Sequence, residues 1–413
     1  MKNTLVRFRN IIVIAMAVVG PGIITAFADN DAAGVATYSV SASIFGYRML
    51  SILIPITIVL AITQEIGARI AIVAQKGLGD LIRERYGIRV SVLLFAILAS
   101  VNFFVVVQNV SGIKAGLQLF GMPPVFLPIM TAILFFFIVL AKYPIIERFF
   151  FVLIGFYVVY IASAFLAKPD WGLAIRSLGI PQGDISPAFI YTSVAVLGTI
   201  VTGWGQFFIN SYIKDKHVSV EHLAYSRWEI YIGAVITNIF SFFMMVAVAA
   251  TLFVNRIHVA DAASAALSIQ PFAGEFAGTL FGLGLLAAGM LGAIIVPLAT
   301  AYAFSEFFGY SGSLDETFRK SKLFYGLFLV QIAAATAIVL LPNINLFRIT
   351  IAANFLNGLV LPVIFYFLWR IANSDSIMGT YKNTRLQNIL LVSAGVVITI
   401  AAVFGGAGQI FGW

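Results

Sequence analysis

Runs of about 20 apolar residues recur along almost the whole chain, and each is long enough as helix to cross a hydrocarbon core roughly 30 Å thick. Eleven such spans are read at roughly 10–38, 44–74, 90–119, 124–141, 149–167, 187–212, 227–254, 273–307, 322–341, 345–371 and 387–411. They are too long and continuous for the alternating pattern of a membrane β-barrel, so helix is the only state that satisfies their backbone in lipid. Of the 413 residues, 61% are hydrophobic and 10% charged, against about 25% charged in a soluble domain. The expected fold class is therefore all-α and integral to the membrane, in one transmembrane domain over 1–413. The first span is too long, and too polar at its centre, for a cleavable signal peptide, so it is expected to stay. Cysteine is absent, which removes disulfides and thiolate metal sites. His217, His222 and His258 all fall between spans.

The formal net charge of +8 reads as a topology signal, not as a nucleic-acid footprint. Placing the N-terminus in the cytoplasm puts 19 of the 25 basic residues on the inner side, from Lys2, Arg7 and Arg9 through Arg69 to Arg89, Lys142, Arg148, Lys214, Lys216, Arg227, Arg319 to Lys322, Arg370, Lys382 and Arg385. Arg48, Lys168, Arg176, Arg256 and Arg348 fall outside, and Lys114 lies within a span. Every alternate loop obeys the positive-inside rule, which also puts the C-terminus outside and points to a plasma (inner) membrane location. The bilayer is the expected partner, and neither nucleic acid nor an obligate protein partner is expected.

Two spans have centres that make poor helix. In GPGIITAFADNDAAGVATYS, residues 20–39, glycines and alanines flank Asp29, Asn30 and Asp31; in GTIVTGWGQ, residues 198–206, Gly198, Gly203 and Gly205 surround Thr199, Thr202 and Gln206. The two lie five spans apart. Interrupted segments at matching places in two halves point to inverted repeats, here about 10–167 and 187–371 with one helix, about 387–411, added. Glycine that only permits close helix packing is the structural alternative.

Asp29 and Asp31 are the acids that lie deep in a span. A charge at the bilayer centre costs about 2.5–3.5 kcal/mol even on lenient scales, so it needs a partner or a cation. A protonated aspartate, or a pair with Lys114, would meet that need without function. The functional reading is that unwinding over Asn30 to Gly34 frees carbonyls that join a carboxylate around a cation. Residues two apart point about 200° apart on a helix, so one acid is expected at the site and the other at a vestibule or helix end. Glu65 and Arg69 have the spacing of a local ion pair, Lys114 is placed to snorkel, and Asn354 and Asn357 suit either helix contacts or substrate. With no phosphate loop, histidine metal motif or nucleophile elbow, no enzyme is expected.

The first of these segments resembles helix 1 of the NRAMP superfamily of divalent-metal transporters. The resemblance continues through PLATAYAFSEFFG at 297–309 to LPVIFYFLWRIAN at 361–373. It implies a LeuT-like fold, with helices 1 and 6 unwound at the midplane, working by alternating access. The family's Asp-Pro-Gly-Asn aligns with Asp31, Ala32, Ala33 and Gly34, keeping the acid and losing the asparagine ligand. The helix 6 Met-Pro-His becomes Thr202, Gly203 and Trp204, and the helix 10 glutamine becomes Asn354. That pattern resembles the NRAMP-related magnesium transporters. It implies Asp31 as principal metal ligand beside the Thr199 carbonyl and the Thr202 side chain, with Gln206 and Asn354 meeting bound water and room for water at Gly34. Asp29 and Asn30 are further contacts. Loss of a thioether favours Mg²⁺ or Mn²⁺ over softer ions. With Trp204 at the histidine position, and Gln108, Asn109 and Lys114 where helix 3 acids are sought, flux is expected to run on potential rather than on protons, although Asp29 keeps a proton route open. No cofactor is expected, the metal being substrate. The rival expectations are a sodium- or proton-coupled carrier of an organic cation or amino acid on the same fold, and a non-transporting sensor or scaffold.

Overall fold

The computed structural model describes residues 20–179, 185–259, 262–341 and 346–411. Lys2, Arg7, Arg9 and the opening of the first span lie outside the described residues. Nine helical stretches among the described residues are long and apolar enough to cross a membrane; one, Ala32–Ala74, holds parts of two expected spans, and the shorter Phe126–Leu140 completes the eleven.

The first span is two helices, α1 (Pro21–Ala28) and α2 (Ala32–Phe45). Pro21, which lacks an N–H, starts α1 where none is needed. α1 ends in a tightened turn, with Asn30 N and Asp31 N bonding back to Phe27 O and Ala28 O. Gly46 then turns the chain with φ 57°, and a 3₁₀ segment, Gly46–Ile52, leads into α3 (Leu53–Ala74). The second span thus starts later than the apolar pattern implied, because apolarity does not register a turn. α4 (Leu78–Leu119) swallows the next loop, with a kink at Gly87 where φ is 81°.

After α5 (Phe126–Leu140), α6 (Tyr143–Gly155) and α7 (Val158–Leu166) form the fifth span. The sixth is again broken, into α8 (Pro187–Ile200) and α9 (Gly203–Asp215). α10 (Leu223–Val248), α11 (Ala262–Ala273), α12 (Glu275–Phe308), α13 (Lys322–Leu340), α14 (Leu346–Ala372) and α15 (Arg385–Phe411) follow.

α1 packs on α9 and α2 on α8, so the two broken spans lie side by side. α12 runs along α4, and small residues let their backbones close up: a Cβ on Gly289 would sit 2.9 Å from Asn109 O, and one on Gly292 2.3 Å from Asn109 Oδ1. Loops read as basic and inner gather at one face. Lys216 pairs with Glu147 at 2.6 Å, Lys214 with Asp80 at 3.1 Å and Arg227 with Glu65 at 2.7 Å. Glu65 also takes the expected bond from Arg69 at 2.9 Å, and Arg69 reaches on to Asn383 at 2.7 Å, tying α3 to the start of α15.

Candidate functional site

Both helix breaks are built the same way. Asp31 is the N-cap of α2, its Oδ1 accepting from Gly34 N at 2.9 Å; Thr202 is the N-cap of α9, its Oγ1 accepting from Gly205 N at 3.0 Å. Each is a short oxygen-bearing side chain with glycine three residues on, which supplies one of the partners a helix N-terminus lacks. Two helix N-termini, with their positive dipole ends, therefore start in the middle of the protein.

The first break falls at residues 29–31, earlier than sequence suggested, and the second at 201–202, inside the glycine-rich segment 198–206. Gly34, Gly203 and Gly205 are already helical. At Gly34 a side chain would be crowded: a Cβ there would stand 2.9 Å from the Asp29 carbonyl oxygen and 3.6 Å from Thr199 Oγ1. The same contact places Thr199 beside the first break.

Asp29 and Asp31 are 1% and 2% exposed, and neither forms an ion pair among the described residues. They face different neighbours. Asp29 accepts from Thr202 Oγ1 at 2.8 Å and from Gln64 Nε2 at 3.1 Å. Asp31, besides capping α2, accepts from Asn109 Nδ2 at 2.6 Å, while Asn109 Oδ1 accepts from Ala32 N at 2.9 Å. Thr202 is thus brought to Asp29, not to Asp31. Lys114 pairs with neither acid; its Nζ donates to Val339 O at 2.7 Å near the end of α13. Among the described residues no group of three His, Cys, Asp or Glu could hold a metal, so two acids and neutral oxygens are what the centre offers.

Asn30 turns away from that centre. Its Nδ2 donates to Thr237 O at 2.7 Å and Thr237 Oγ1 at 2.8 Å, its Oδ1 accepts from Tyr38 OH at 2.7 Å and Ser241 Oγ at 2.8 Å, and its carbonyl accepts from Tyr157 OH at 2.9 Å. Every polar atom of that side chain is engaged, so Asn30 has nothing left for an ion; it locks the break against α10. Asn357 serves the other break, accepting from Gly203 N at 3.0 Å and donating to Gly198 O at 2.8 Å. Asn354 donates to Thr37 at 2.6 Å and Gln206 to Thr63 at 3.3 Å, and the amide oxygens of both are buried without a partner.

Sequence reasoning passed over Gln64, Asn109 as a partner of Asp31, and Glu229. Glu229 Oε1 accepts from Gly20 N at 2.7 Å, Gly22 N at 2.9 Å and Ile23 N at 3.0 Å, capping α1. Gln64 and Glu229, each a polar residue inside an apolar run, were visible as such; their partners, some 35 and 207 residues away along the chain, were not.

Residues 22–406 match the Nramp family, described as natural resistance-associated macrophage protein-like. The chain belongs to the Nramp family. A similar relative is the divalent metal cation transporter MntH of Agrobacterium fabrum, 26% identical over 300 residues. That match spans 69% of this Nramp chain and 65% of the relative, just under two thirds of its length. Among solved structures, the manganese transporter of Eremococcus coleocola in complex with an aromatic bis-isothiourea substituted compound superposes with a TM-score of 0.74 at 20% identity, covering 96% of this chain and 87% of that one. MhsT in complex with L-phenylalanine superposes with a TM-score of 0.61 at 12% identity, covering 93% and 97%. The fold is the LeuT-like one, and the protein is a multi-pass integral membrane protein.

Proposed function

We propose that this Nramp protein carries a divalent metal ion across the membrane by alternating access, binding it where the two helix breaks meet. The observation that carries the reading is the pair of acids, Asp29 and Asp31, buried between α1, α2, α4 and α9 with no basic partner among the described residues. Buried carboxylates in that setting call for a cation. Family membership supports the same class of substrate. An amino-acid substrate would bring its own carboxylate against both acids, which disfavours the amino-acid form of the organic-substrate rival.

Mg²⁺ or Mn²⁺ suits the centre best. Thr202 stands where standard members are expected to carry methionine, so the donors at the breaks are carboxylate, hydroxyl and amide oxygens, which match hard ions. Flux is driven by potential rather than by protons: Trp204 takes the place of the expected histidine, and α4 carries no acid beyond Glu84. The protein sits in the plasma (inner) membrane with its N-terminus cytoplasmic and its C-terminus outside, and the clustering of the basic loops at one face supports that orientation. The repeats run up to about residue 167 and over about 187–371, and their broken spans are packed against each other. Calorimetric titration of the purified chain with Mg²⁺, Mn²⁺ and Ca²⁺ tests the reading. Saturable heat with Mg²⁺ or Mn²⁺ is expected, and no heat with any of the three would count against it.

A further inference from the structure

We propose that the groove between α14 and α15 binds an anionic phospholipid, with an acyl chain lying in the groove and the phosphate held at its mouth by Arg370 and Arg385.

The groove is a cavity of about 470 Å³ whose walls include Pro362, Tyr366 and Trp369 on α14 and Leu391, Gly395 and Ile400 on α15. Its depth comes from Gly395. A Cβ on that glycine would meet only Phe365, at 3.9 Å, whereas one on Gly198 or Gly292 would run into a neighbour at 2.1 or 2.3 Å. The side chain that Gly395 lacks therefore leaves open space. Tyr366, Val396 and Ile400 are 48%, 52% and 64% exposed, so the groove opens sideways, away from the protein interior. In a chain that spans a bilayer, that side faces acyl chains.

An apolar groove by itself chooses no particular lipid, because lipid tails are as apolar as its walls. The choice comes from what stands at its end. The end of α14 lies beside the start of α15, with Asn373 bonding Asn388 at 2.8 Å and Asn383 N reaching Ala372 O at 3.1 Å. Trp369 and Leu391 thus mark the mouth. Arg370 extends the exposed stripe of α14 one turn beyond Tyr366, with its Cζ 6.0 Å from the centre of the Trp369 ring. Arg385 is exposed at the first residue of α15. Arg85, exposed near the start of α4, comes to the same end and donates to Ser374 Oγ at 2.7 Å, while Tyr86 packs edge-on against Phe367 at 5.0 Å.

None of these three arginines forms an ion pair among the described residues. The acids around them are engaged elsewhere: Asp375 by Lys382 at 2.5 Å, Glu84 by Lys76 at 2.8 Å, and Glu65 by Arg69 and Arg227. Uncompensated guanidinium groups therefore gather where an apolar groove meets the end of a span, the depth at which headgroups lie. Basic pockets between transmembrane helices at that level suit anionic headgroups, and guanidinium matches phosphate in a two-point contact. Arginines that only snorkel to the interface are the structural alternative; a groove that ends at them is what a lipid needs in addition. A lipid seated there would brace α14, whose Asn357 holds the second break at Gly203 N.

The test is native mass spectrometry of the full chain in mild detergent, with phosphatidylglycerol or phosphatidylcholine of identical acyl chains added. A monomer that retains phosphatidylglycerol over phosphatidylcholine by roughly tenfold or more is expected, on the scale of two basic charges at an anionic headgroup. Arg370→Gln should lower that preference about fivefold, the worth of one such charge. Gly395→Phe should weaken retention of both lipids with the arginines intact, and Gly395→Leu serves if the bulkier variant does not fold. Equal retention of the two lipids by the wild type, an unchanged preference in Arg370→Gln, or full retention in the Gly395 variants would each overturn the proposal. So would displacement of the lipid by soluble glycerol 3-phosphate at matching concentration, which would leave a free-phosphate site, and so would a lipid-free dimer, which would give the groove to a second copy of the chain.

Discussion

Replacing Asn30 with alanine tests the idea that this residue holds the first break in place and binds nothing. The change deletes the four side-chain hydrogen bonds to Thr237 O, Thr237 Oγ1, Tyr38 OH and Ser241 Oγ. Two of those groups keep other partners, since Thr237 Oγ1 still donates to Ala26 O at 2.7 Å and Ser241 Oγ to Thr237 O at 3.2 Å. Tyr38 OH, buried, loses its 2.7 Å acceptor and is left with Ser241 alone. The lost bonds together amount to about 2–5 kcal/mol. Unfolding entropy of about 2.1 cal/mol/K per residue implies roughly 1 °C of melting midpoint per kcal/mol for a chain of this length, hence a fall of about 2–5 °C. Thermal scanning in detergent reads this, with Asn30→Ala/Tyr38→Phe as control. Both single variants lose the Tyr38–Asn30 bond, so the double variant should be less destabilised than the sum of the singles. A midpoint within 1 °C of wild type, or strictly additive losses, would refute the reasoning.

Glu65→Ala should be costly, because it leaves the buried Arg69 guanidinium without its 2.9 Å partner; stranding a buried charge costs about 3–5 kcal/mol, and Glu65→Met with Arg69→Leu should recover much of it in the same melting assay. Gly292→Ala places a Cβ 2.3 Å from Asn109 Oδ1; overpacking of about 1–3 kcal/mol is expected, with slowed metal flux in vesicles because Asn109 positions Asp31. Glu229→Ala removes the acceptor for Gly20 N, Gly22 N and Ile23 N, so amide exchange over residues 20–28 should rise at least tenfold while α3 stays protected; unchanged exchange there would mean that Glu229 is not what caps α1.

Much of this was legible in the sequence because a bilayer leaves few alternatives. Apolar length fixed the helices, and glycine-rich polar centres five spans apart marked the two broken ones. What periodicity could not supply was which way each polar side chain points. Asp29, Asn30 and Asp31 are consecutive, yet one faces α3 and α9, one α10 and one α4. The difference is set by partners such as Gln64, Thr237 and Asn109, which lie far off in the chain. Nor could periodicity show that Gly34 is a close approach, its Cβ position standing 2.9 Å from the Asp29 carbonyl oxygen. Glu65 and Arg69 were readable because their pairing is local, whereas the reach of Arg69 to Asn383 was not.

The central claim is that the paired helix breaks carry a divalent ion across the membrane. The most direct measurement is Mn²⁺ uptake into liposomes reconstituted with the full chain, under an inside-negative potential and with internal pH recorded together. The account predicts saturable accumulation that follows the potential, is competed by Mg²⁺, brings no internal acidification, and is lost when Asp29→Asn and Asp31→Asn are combined. Uptake no greater than in protein-free liposomes, at any potential, would contradict it.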